Sequence, residues 1–345
     1  MTYIGDDSDT LEKRDLERDP SSRFRLSVVV PARDAEQDLP HCLDALASSD
    51  LPREEWELIV IDDSLGRGPA YARNRGVESA SAPVVAFIDS DVMVHSDALR
   101  RMLSRLESSD TAAVFGSYDS SPLARGLVSQ YRNLLHHFIH QTAGGEVETF
   151  WAGCGAVKKS VLLQIGTFDE RRYTRPEIED VELGYRLRDA GCRIMLDPEV
   201  QCTHRKRWPL VGMIVSDFSR RGVPWARLLA ERGMLTAPRG LSLGKTEQVS
   251  AATAIAFLVS ASVAIISENS TWLVLSVGAI AGFLFANREF FRWLARSKGT
   301  GLTLASVPLH LLYNVVAVAA LAWGALEHAL RAARPPPVRS SRTPD

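Results

Sequence analysis

Two carboxylates separated by one residue, Asp89 and Asp91, are the strongest sign of chemistry in this 345-residue chain. They follow directly after Pro83–Ile88, an apolar run with the pattern of a buried strand. Such a pair can bind a divalent cation, since Mg²⁺ and Mn²⁺ prefer oxygen ligands and commonly join carboxylates to phosphates. Capping of the next helix, predicted over Ser96–Glu107 with a serine cap, is the alternative.

A second acidic cluster, Asp62 and Asp63, follows the preceding apolar run, Trp56–Ile61. A carboxylate at this point could hydrogen-bond a ribose or a base, whereas the alternative is an Asx turn that closes the strand. Arg73 lies near the start of a helix predicted over Pro69–Ser79. It could hold a diphosphate beside both acidic clusters, or it could form an ordinary surface salt bridge.

Two further acidic residues, Glu179 and Asp180, begin a helix predicted over Glu179–Ala190. The helix dipole favours negative charge at this end, which explains both residues without any catalysis. The functional hypothesis is that Asp180 acts as a general base for an acceptor hydroxyl. His204 ends a short strand predicted over Val200–Thr203 and could be a metal ligand.

The elements that must position these residues alternate between short apolar runs and amphipathic stretches from residue 26 onward. Near-continuous apolar strands between helices predict an α/β fold with a mostly parallel sheet that is covered on both faces. Ligands of such sheets bind beyond the carboxyl ends of the strands, where both acidic clusters fall. The remaining predicted strands are Leu26–Pro31, Ala112–Gly116, Val147–Trp151, Ala156–Val157 and Arg193–Leu196, and the remaining helices are Glu36–Ala47 and Leu123–Gln141.

The chain carries 40 Lys and Arg against 42 Asp and Glu, a net charge of −2 that gives no reason to expect nucleic-acid binding. Residues 1–25 are dense in both charges and poor in apolar residues, so they are predicted to be disordered. Residues 208–240 mix apolar side chains with arginines, which predicts an amphipathic segment lying along a membrane surface. A helix packed on its own domain is the alternative for this segment.

Three uncharged apolar stretches, Val249–Ser267, Thr271–Ala286 and Leu302–Leu326, predict membrane-embedded helices over residues 249–326. Each approaches the about 20 residues that cross a bilayer. The first two form a hairpin, and the basic segment from Arg288 to Lys298 behind them indicates the cytoplasmic side of the inner membrane, together with the catalytic domain. A full crossing by the third stretch would put the basic tail, residues 327–345 and predicted disordered, outside; a re-entrant segment would keep it inside.

Three ordered stretches, Gly68–Val92, Gly153–Arg171 and Glu179–Gly191, resemble glycosyltransferase family 2 of the GT-A fold. The resemblance runs from about Leu26 to His204 and implies a GT-A catalytic domain over residues 26–207. It implies an inverting, metal-dependent enzyme that moves a sugar from a UDP- or GDP-linked nucleotide-sugar to a lipid-linked or membrane-proximal acceptor. The implied cofactor is Mn²⁺ or Mg²⁺.

The same resemblance implies a role for each matching residue. Asp180 is the expected base, in a single displacement that inverts the anomeric carbon. The donor would contact Pro31, Asp62, Asp63, Arg73, Asp89 and Asp91. The metal ligands would be Asp89, Asp91 and His204. The acceptor side would include Trp151, Gly153, Glu179, Arg221 and Trp225.

Two departures from the family pattern bear on the substrates. Only Ser64–Arg67 separate Asp63 from Gly68, where most relatives carry a further helix and strand, so the base preference is open. The stretch Phe218–Trp225 lacks the Q-x-x-R-W signature of processive synthases, which disfavours a polymerase. A polyprenyl-phosphate sugar transferase and a non-catalytic nucleotide-sugar-binding membrane scaffold are the alternatives. A dehydrogenase is disfavoured because no G-x-G-x-x-G follows the first strand.

Overall fold

A single mixed β-sheet organises the first two-thirds of the computed structural model, which describes residues 2–4, 23–108, 110–235, 244–267 and 269–332. Within those residues the strand order is β1-β3-β2-β4-β8-β6-β9-β5, and β7 pairs with β9. The strands are β1 Thr2–Ile4, β2 Leu26–Ala32, β3 Trp56–Asp62, β4 Val84–Ile88, β5 Val92–Val94, β6 Thr111–Tyr118, β7 Gly145–Val147, β8 Cys154–Lys158 and β9 Arg193–His204.

The α/β prediction is confirmed, but the sheet is less parallel than expected. Strands β1, β3, β2 and β4 are parallel, as are β6 and β9. Strand β8 is antiparallel to both β4 and β6, and β5 and β7 are antiparallel to β9. A strand that is buried on both faces has the same apolar composition whichever way it runs, so the sequence pattern does not reveal its direction.

Helices cover both faces of the sheet, and a separate buried core lies on each face. The predicted helix over Pro69–Ser79 matches the structure at both ends. Helix α3 begins at Ala98 after Asp97, without a side-chain cap, so the predicted serine cap is wrong. The two short strands predicted between Arg193 and Thr203 are one continuous strand, β9. These helices are α1 Leu39–Ala47, α2 Pro69–Ser79, α3 Ala98–Glu107, α4 Leu127–Thr142, α5 Lys159–Ile165 and α6 Glu179–Asp189.

Part of the predicted disordered N-terminal tail belongs to the sheet. Thr2–Ile4 form β1, which pairs in parallel with the edge of β3 at Ile59–Ile61. The Tyr3 hydroxyl hydrogen-bonds Asp62 at the end of β3. The prediction of disorder is therefore wrong for these three residues, and residues 5–22 lie outside the described part of the chain.

The segment after the sheet consists of α7 Leu210–Val215, a π-helical stretch Ser216–Gly222 and α8 Val223–Glu231. Helix α7 exposes Val211, which is 72% accessible. In contrast, Leu228 and Leu229 of α8 are buried in the core on one face of the sheet. The alternative of packing on the domain therefore describes α8, while α7 keeps the exposed apolar side chains of a surface-lying helix. Residues 236–243 lie outside the described ranges.

Four helices follow: α9 Lys245–Ser267, α10 Ser270–Ala286, α11 Arg288–Lys298 and α12 Thr300–Ala332. Among the described residues, α9 and α12 are each long and apolar enough to cross a membrane. Helix α10 reaches that length only together with α11, and the two are bent by 66° at their junction. The basic segment predicted as a loop is α11, and its apolar residues Phe290, Phe291 and Leu294 are buried. Helix α12 extends six residues into the predicted disordered tail, whose residues 333–345 lie outside the described ranges.

Candidate active site

The Asp89–Asp91 turn is held in place by backbone hydrogen bonds on both sides. The Asp89 amide donates to the Gly153 carbonyl at 3.1 Å, and the Asp89 carbonyl accepts from the Val92 amide at 3.0 Å. The next strand, β5, pairs antiparallel with β9 so that Val92 lies opposite His204. This register brings Asp91 Oδ2 and His204 Nε2 to 3.4 Å from each other. The structure therefore brings two of the three expected metal ligands, Asp91 and His204, next to each other.

The His204 ring is oriented by its other neighbours. Its Nδ1 lies 2.9 Å from Asn133 Oδ1, and the ring stacks on Tyr118 with a centroid distance of 4.5 Å and an interplanar angle of 6°. An amide oxygen only accepts, so this hydrogen bond places a proton on Nδ1 and leaves Nε2 facing Asp91. A hydrogen bond to the far ring nitrogen is the usual orientation of a metal-ligating histidine.

Arg73 connects the metal side of the cleft to the start of α6. Its guanidinium is 3% accessible and donates to Asp89 Oδ1 and to Glu179 Oε1, each at 2.8 Å. Burial alone would lower the pKa of Arg73, but the charges of Asp89 and Glu179 raise it instead. Arg73 is thus a buried cation shared by two carboxylates, and the surface salt bridge considered from the sequence is excluded.

The two carboxylates of the D-x-D stretch have different environments. Burial and the neighbouring charge of Asp91 raise the pKa of Asp89, although Arg73 opposes the shift. Burial also acts against ionisation of Asp91, but the hydrogen bond and charge of His204 outweigh it and lower the Asp91 pKa. Asp91 is therefore the more firmly ionised of the two.

The residues present fit a divalent cation that is completed by its substrate. Within the described ranges, no three His, Cys, Asp or Glu side chains gather around one point, since Asp89 is turned to Arg73. Asp91 and His204 still offer one oxygen and one nitrogen on the same side. Mg²⁺ in phosphate-transfer sites commonly takes only one or two protein carboxylates and fills its remaining positions with water and phosphate oxygens. The three-ligand set with Asp89 stays a prediction.

Asp180 is held by the same loop that supports the D-x-D turn. Its Oδ2 accepts from the Ala152 amide at 3.2 Å, and its Oδ1 accepts from the Val181 amide at 2.8 Å. Burial, followed by the charge of Glu179, raises the pKa of Asp180 to about 6, while Arg73 opposes the shift. A carboxylate with a pKa close to neutrality has the proton affinity that a general base needs.

On the predicted nucleoside side of the site, the carboxylate of Asp63 is used for hydrogen bonds within the chain. Both oxygens of its buried carboxylate accept backbone hydrogen bonds, from Arg67 at 2.7 Å and from Gly68 at 2.9 Å. Asp63 thus shapes the short connection into α2, as the Asx-turn alternative predicted. Pro31 and Asp62 lie on the neighbouring parallel strands β2 and β3, near their carboxyl ends.

The residues predicted for the acceptor side separate into two groups. Trp151 and Arg221 line a cleft together with Asp89, Asp91 and His204. Gly153 and Glu179 form the second group. Gly153 lies behind the Asp89–Asp91 turn, where a Cβ would come within 2.6 Å of the Trp151 ring. Glu179 is buried in its ion pair with Arg73.

Trp225 lies elsewhere. Its indole nitrogen donates to the Tyr185 hydroxyl at 3.0 Å, and its ring packs against the core on the α8 side of the sheet. It does not line the cleft among the residues that the structure describes. The geometry therefore separates it from the Asp89–His204 region.

Comparison with known proteins finds a family match in the catalytic region. Residues 64–166 match the model of glycosyl transferase family 2, a span that contains Arg73, Asp89, Asp91, Trp151 and Gly153. The match covers about a third of the chain and agrees with the resemblance found in the sequence.

Two curated relatives show how far the similarity extends. Poly-beta-1,6-N-acetyl-D-glucosamine synthase of Staphylococcus aureus (strain COL) is 28% identical over 181 residues, which cover 51% of this chain and 42% of the relative. Poly(ribitol-phosphate) beta-glucosyltransferase of Bacillus spizizenii (strain ATCC 23059 / NRRL B-14472 / W23) is 26% identical over 104 residues, which cover 23% of this chain and 16% of the relative. The chain therefore spans less than half the length of these relatives.

Among solved structures, mannosyltransferase PcManGT from Pyrobaculum calidifontis, in complex with GDP-Man and Mn²⁺, aligns over 91% of each chain with 18% identity and a TM-score of 0.49.

The sequence analysis did not predict one wall of the cleft. Arg132, Asn133 and His136 of α4 line it, as do Lys206 and Trp208 after β9. Burial, together with the charges of Arg132 and Arg221, lowers the pKa of His136 well below its usual value, so this ring is neutral at physiological pH. The available signal was a set of polar residues inside an otherwise apolar helical stretch.

Proposed function

We propose that this protein is an inverting, metal-dependent glycosyltransferase that uses a nucleotide-sugar donor. One observation carries the proposal: the two-residue segment Ala152–Gly153 hydrogen-bonds both the expected metal-binding turn and the expected base. The Gly153 carbonyl fixes the Asp89 turn, and the adjacent Ala152 amide fixes Asp180. The backbone of this segment thereby connects two groups: the proposed cation ligands Asp91 and His204, and Asp180, whose pKa is raised to about 6.

In the proposed reaction the acceptor oxygen attacks the anomeric carbon of the donor sugar. Asp180 takes the proton from the attacking hydroxyl as the new C–O bond forms. The bond from the anomeric carbon to the diphosphate oxygen breaks on the opposite face, and its electron pair leaves with the nucleoside diphosphate, so the configuration inverts. A divalent cation bound between Asp91 and His204 would supply charge neutralisation for that leaving group.

The proposed donor is a UDP- or GDP-linked hexose or N-acetylhexosamine, and the proposed acceptor is lipid-linked or close to the membrane. The family match and the names of the two curated relatives support this class of sugar. Because the Asp63–Gly68 connection is short, the chain gives no preference between uridine and guanosine in the donor. Helices that are apolar enough to cross a membrane support an acceptor close to its surface.

The proposed membrane topology is a crossing hairpin with the catalytic domain on the cytoplasmic side of the inner membrane. Helices α9 and α10 form the hairpin, and its tip is apolar and open, since Ile265 and Ile266 are 81% and 83% accessible. At its base, Asn287 donates to Ser250 at 2.7 Å. The basic helix α11 next to that base supports a cytoplasmic orientation.

Helix α12 is proposed to lie along the catalytic domain, so that it does not cross the bilayer. A hydrogen bond of 2.9 Å joins His310 Nδ1 to the hydroxyl of Tyr131 in α4. An ion pair of 3.3 Å joins Glu327 to Arg227 of α8. Those two contacts are about 25 Å apart along the helix. Between them, a Cβ on Gly222 would come within 2.5 Å of Ala320. Because this whole stretch packs on the domain, the remaining ends of α12 are too short to span a membrane.

The test of the function is a sugar-transfer assay with detergent-solubilised protein. It would use a panel of UDP- and GDP-sugars with Mn²⁺ or Mg²⁺, with and without a membrane lipid extract, and measure nucleoside diphosphate release. We expect metal-dependent release that lipid stimulates and that Asp91→Asn and Asp180→Asn abolish. Asp97→Asn is the matched control, because the ion pair of Asp97 within the described part of the chain is with Arg101, one turn further along α3 at the surface.

Two outcomes would replace the proposal with an alternative. Release that survives Asp180→Asn but not Asp91→Asn favours a polyprenyl-phosphate sugar transferase, whose attacking oxygen is already ionised. Nucleotide binding without release, for every donor and acceptor tried, favours the non-catalytic scaffold.

A further inference from the structure

One wall of the cleft carries hydrogen-bond donors and positive charge that the transfer reaction has not used. We call it the α4 wall; it consists of Arg132, Asn133, Lys206, Trp208 and Arg221. It lines the same cleft as Asp89 and Asp91, but it comes from α4 and from the segment that follows β9. The wall therefore faces the space in which donor and acceptor must meet.

Three buried side chains of the α4 wall have donors without acceptors. Arg132, Asn133 and Trp208 are 3%, 2% and 9% accessible. Arg132 pairs with Asp217, and Asn133 Oδ1 accepts from His204, yet Arg132 Nε, Asn133 Nδ2 and Trp208 Nε1 have no hydrogen-bond partner among the residues that the structure describes. Buried N–H groups normally have acceptors, so a ligand that accepts hydrogen bonds would complement this wall.

The exposed residues of the wall carry positive charge. Lys206 Nζ lies 4.6 Å from the centre of the Trp208 ring, and Arg221 forms no ion pair with any residue in the described part of the chain. Asp217 offsets the charge of Arg132 and Asp91 acts on Lys206, so the charge of Arg221 is in excess on this wall. A ligand that accepts hydrogen bonds and balances positive charge is an anion, and a phosphate group has both properties.

The position of the wall links that anion to the membrane. Arg132 lies 5.7 Å from the ring centre of Tyr313 in α12, and the preceding residue, Tyr131, bonds His310 of the same helix at 2.9 Å. Tyr131 also belongs to an apolar cluster that includes Ala254 of α9 and Phe283 of α10, so α4 contacts the proposed membrane hairpin as well. A phosphate carried by a lipid can reach this side of the cleft, whereas the donor diphosphate is expected beside Asp91 and His204.

We propose that the α4 wall binds a phosphate group of a lipid-borne acceptor, and this rests on the function proposed above. The same chemistry could be supplied by the diphosphate of the donor, so the test must separate the two sources. It does so by measuring acceptor and nucleotide binding independently, without turnover.

The experiment titrates the full-length protein in neutral detergent with farnesyl phosphate and, separately, with farnesol. Binding is followed by the fluorescence of the cleft tryptophans Trp151 and Trp208, and UDP and GDP binding with Mn²⁺ is measured on the same samples. The variants are Arg221→Gln and Lys206→Gln, whose exposed side chains can change without disturbing the core. Arg220→Gln is the matched control, because Arg220 is equally exposed and does not line the cleft.

We expect farnesyl phosphate to bind and farnesol to bind at least about tenfold more weakly. Each variant should weaken farnesyl phosphate binding by about tenfold, the effect of losing one charge-assisted hydrogen bond, and leave nucleotide affinity unchanged. Arg220→Gln should bind like the wild type. Equal binding of phosphate and alcohol would overturn the proposal, and so would variants that weaken nucleotide binding alone, since the wall would then hold the donor. If the phosphate binds as expected but no sugar is transferred, the proposed function fails and the anion site stands.

Discussion

Removing the charge of Arg73 should destabilise the catalytic domain far more than removing a neighbouring arginine of the same helix. Arg73→Met keeps most of the apolar stem and deletes the guanidinium. That leaves Glu179, whose side chain is 6% accessible, buried without its cation. Asp89 loses the same partner but is 36% accessible, so water compensates much of its loss.

The magnitude follows from the burial of the two pairs. Breaking a buried ion pair on one side costs about 3–5 kcal/mol, because the remaining charge is left uncompensated. The partly exposed Asp89 pair adds at most about 1 kcal/mol. For a domain of this size, 1 kcal/mol shifts Tm by about 2–4 °C, so Arg73→Met should lower Tm by roughly 6–24 °C.

The assay is thermal unfolding in detergent, followed by intrinsic fluorescence. The matched control is Arg75→Met, since Arg75 lies on the same helix and its pair with Glu78 is exposed on both sides, at 32% and 44%. An exposed pair of this kind contributes about 0–1 kcal/mol, so the control should lose at most about 4 °C.

A second variant tests the cause as well as the size of the effect. Adding Glu179→Gln to Arg73→Met removes the unpaired charge but keeps an oxygen that can accept from the Glu177 amide, as Glu179 does at 3.0 Å. At least half of the lost stability should return. The reasoning fails if Arg73→Met costs no more than Arg75→Met, or if the double variant is no more stable than the single one.

Three further predictions concern the base, the packing of α2 and the metal side. Because the pKa of Asp180 is raised to about 6 and the base must be ionised, kcat/KM should rise with pH through 6 and be about tenfold lower at pH 5 than at pH 7. Gly76→Ala should lower the free energy of unfolding by about 1–3 kcal/mol, measured by chemical denaturation, because its Cβ would come within 2.2 Å of Val29 Cγ1. Asn133→Leu frees the His204 ring and should raise the Mn²⁺ concentration for half-maximal activity by about 10–100-fold.

Each of these has its own control. The affinity for the nucleotide should not fall between pH 7 and pH 5. If it falls together with kcat/KM, the pH dependence reports donor binding and not the ionisation of the base. Gly278→Ala should be harmless, as a Cβ there has no described atom within 4 Å. Asn133→Leu would speak against the orienting role of Asn133 if maximal velocity fell while the metal requirement stayed at its wild-type value.

Much of the site could be predicted because its residues lie close to one another along the chain. Asp89 and Asp91 are two residues apart and directly follow a strand, and Asp180 begins a helix, so local pattern was sufficient to single them out. The α4 residues of the wall were missed for the opposite reason. Arg132 and Asn133 sit within a helix that mixes polar and apolar side chains, and only the packing of α4 beside β9 and α12 shows that they reach the cleft.

From the amino-acid sequence alone we could predict the α/β class, the Asp89–Asp91 pair, the helix over Pro69–Ser79 and the apolar C-terminal region. These depend on hydrophobic periodicity and on short-range motifs, which the local chain encodes. The tertiary structure decided the direction of β8, the assignment of Thr2–Ile4 to the sheet, and the sharing of Arg73 between Asp89 and Glu179. It also decided that α12 packs along the domain. Strand direction, edge pairing and buried ion pairs join residues that are far apart in the chain, and their free energy depends on burial that exists only once the chain has folded.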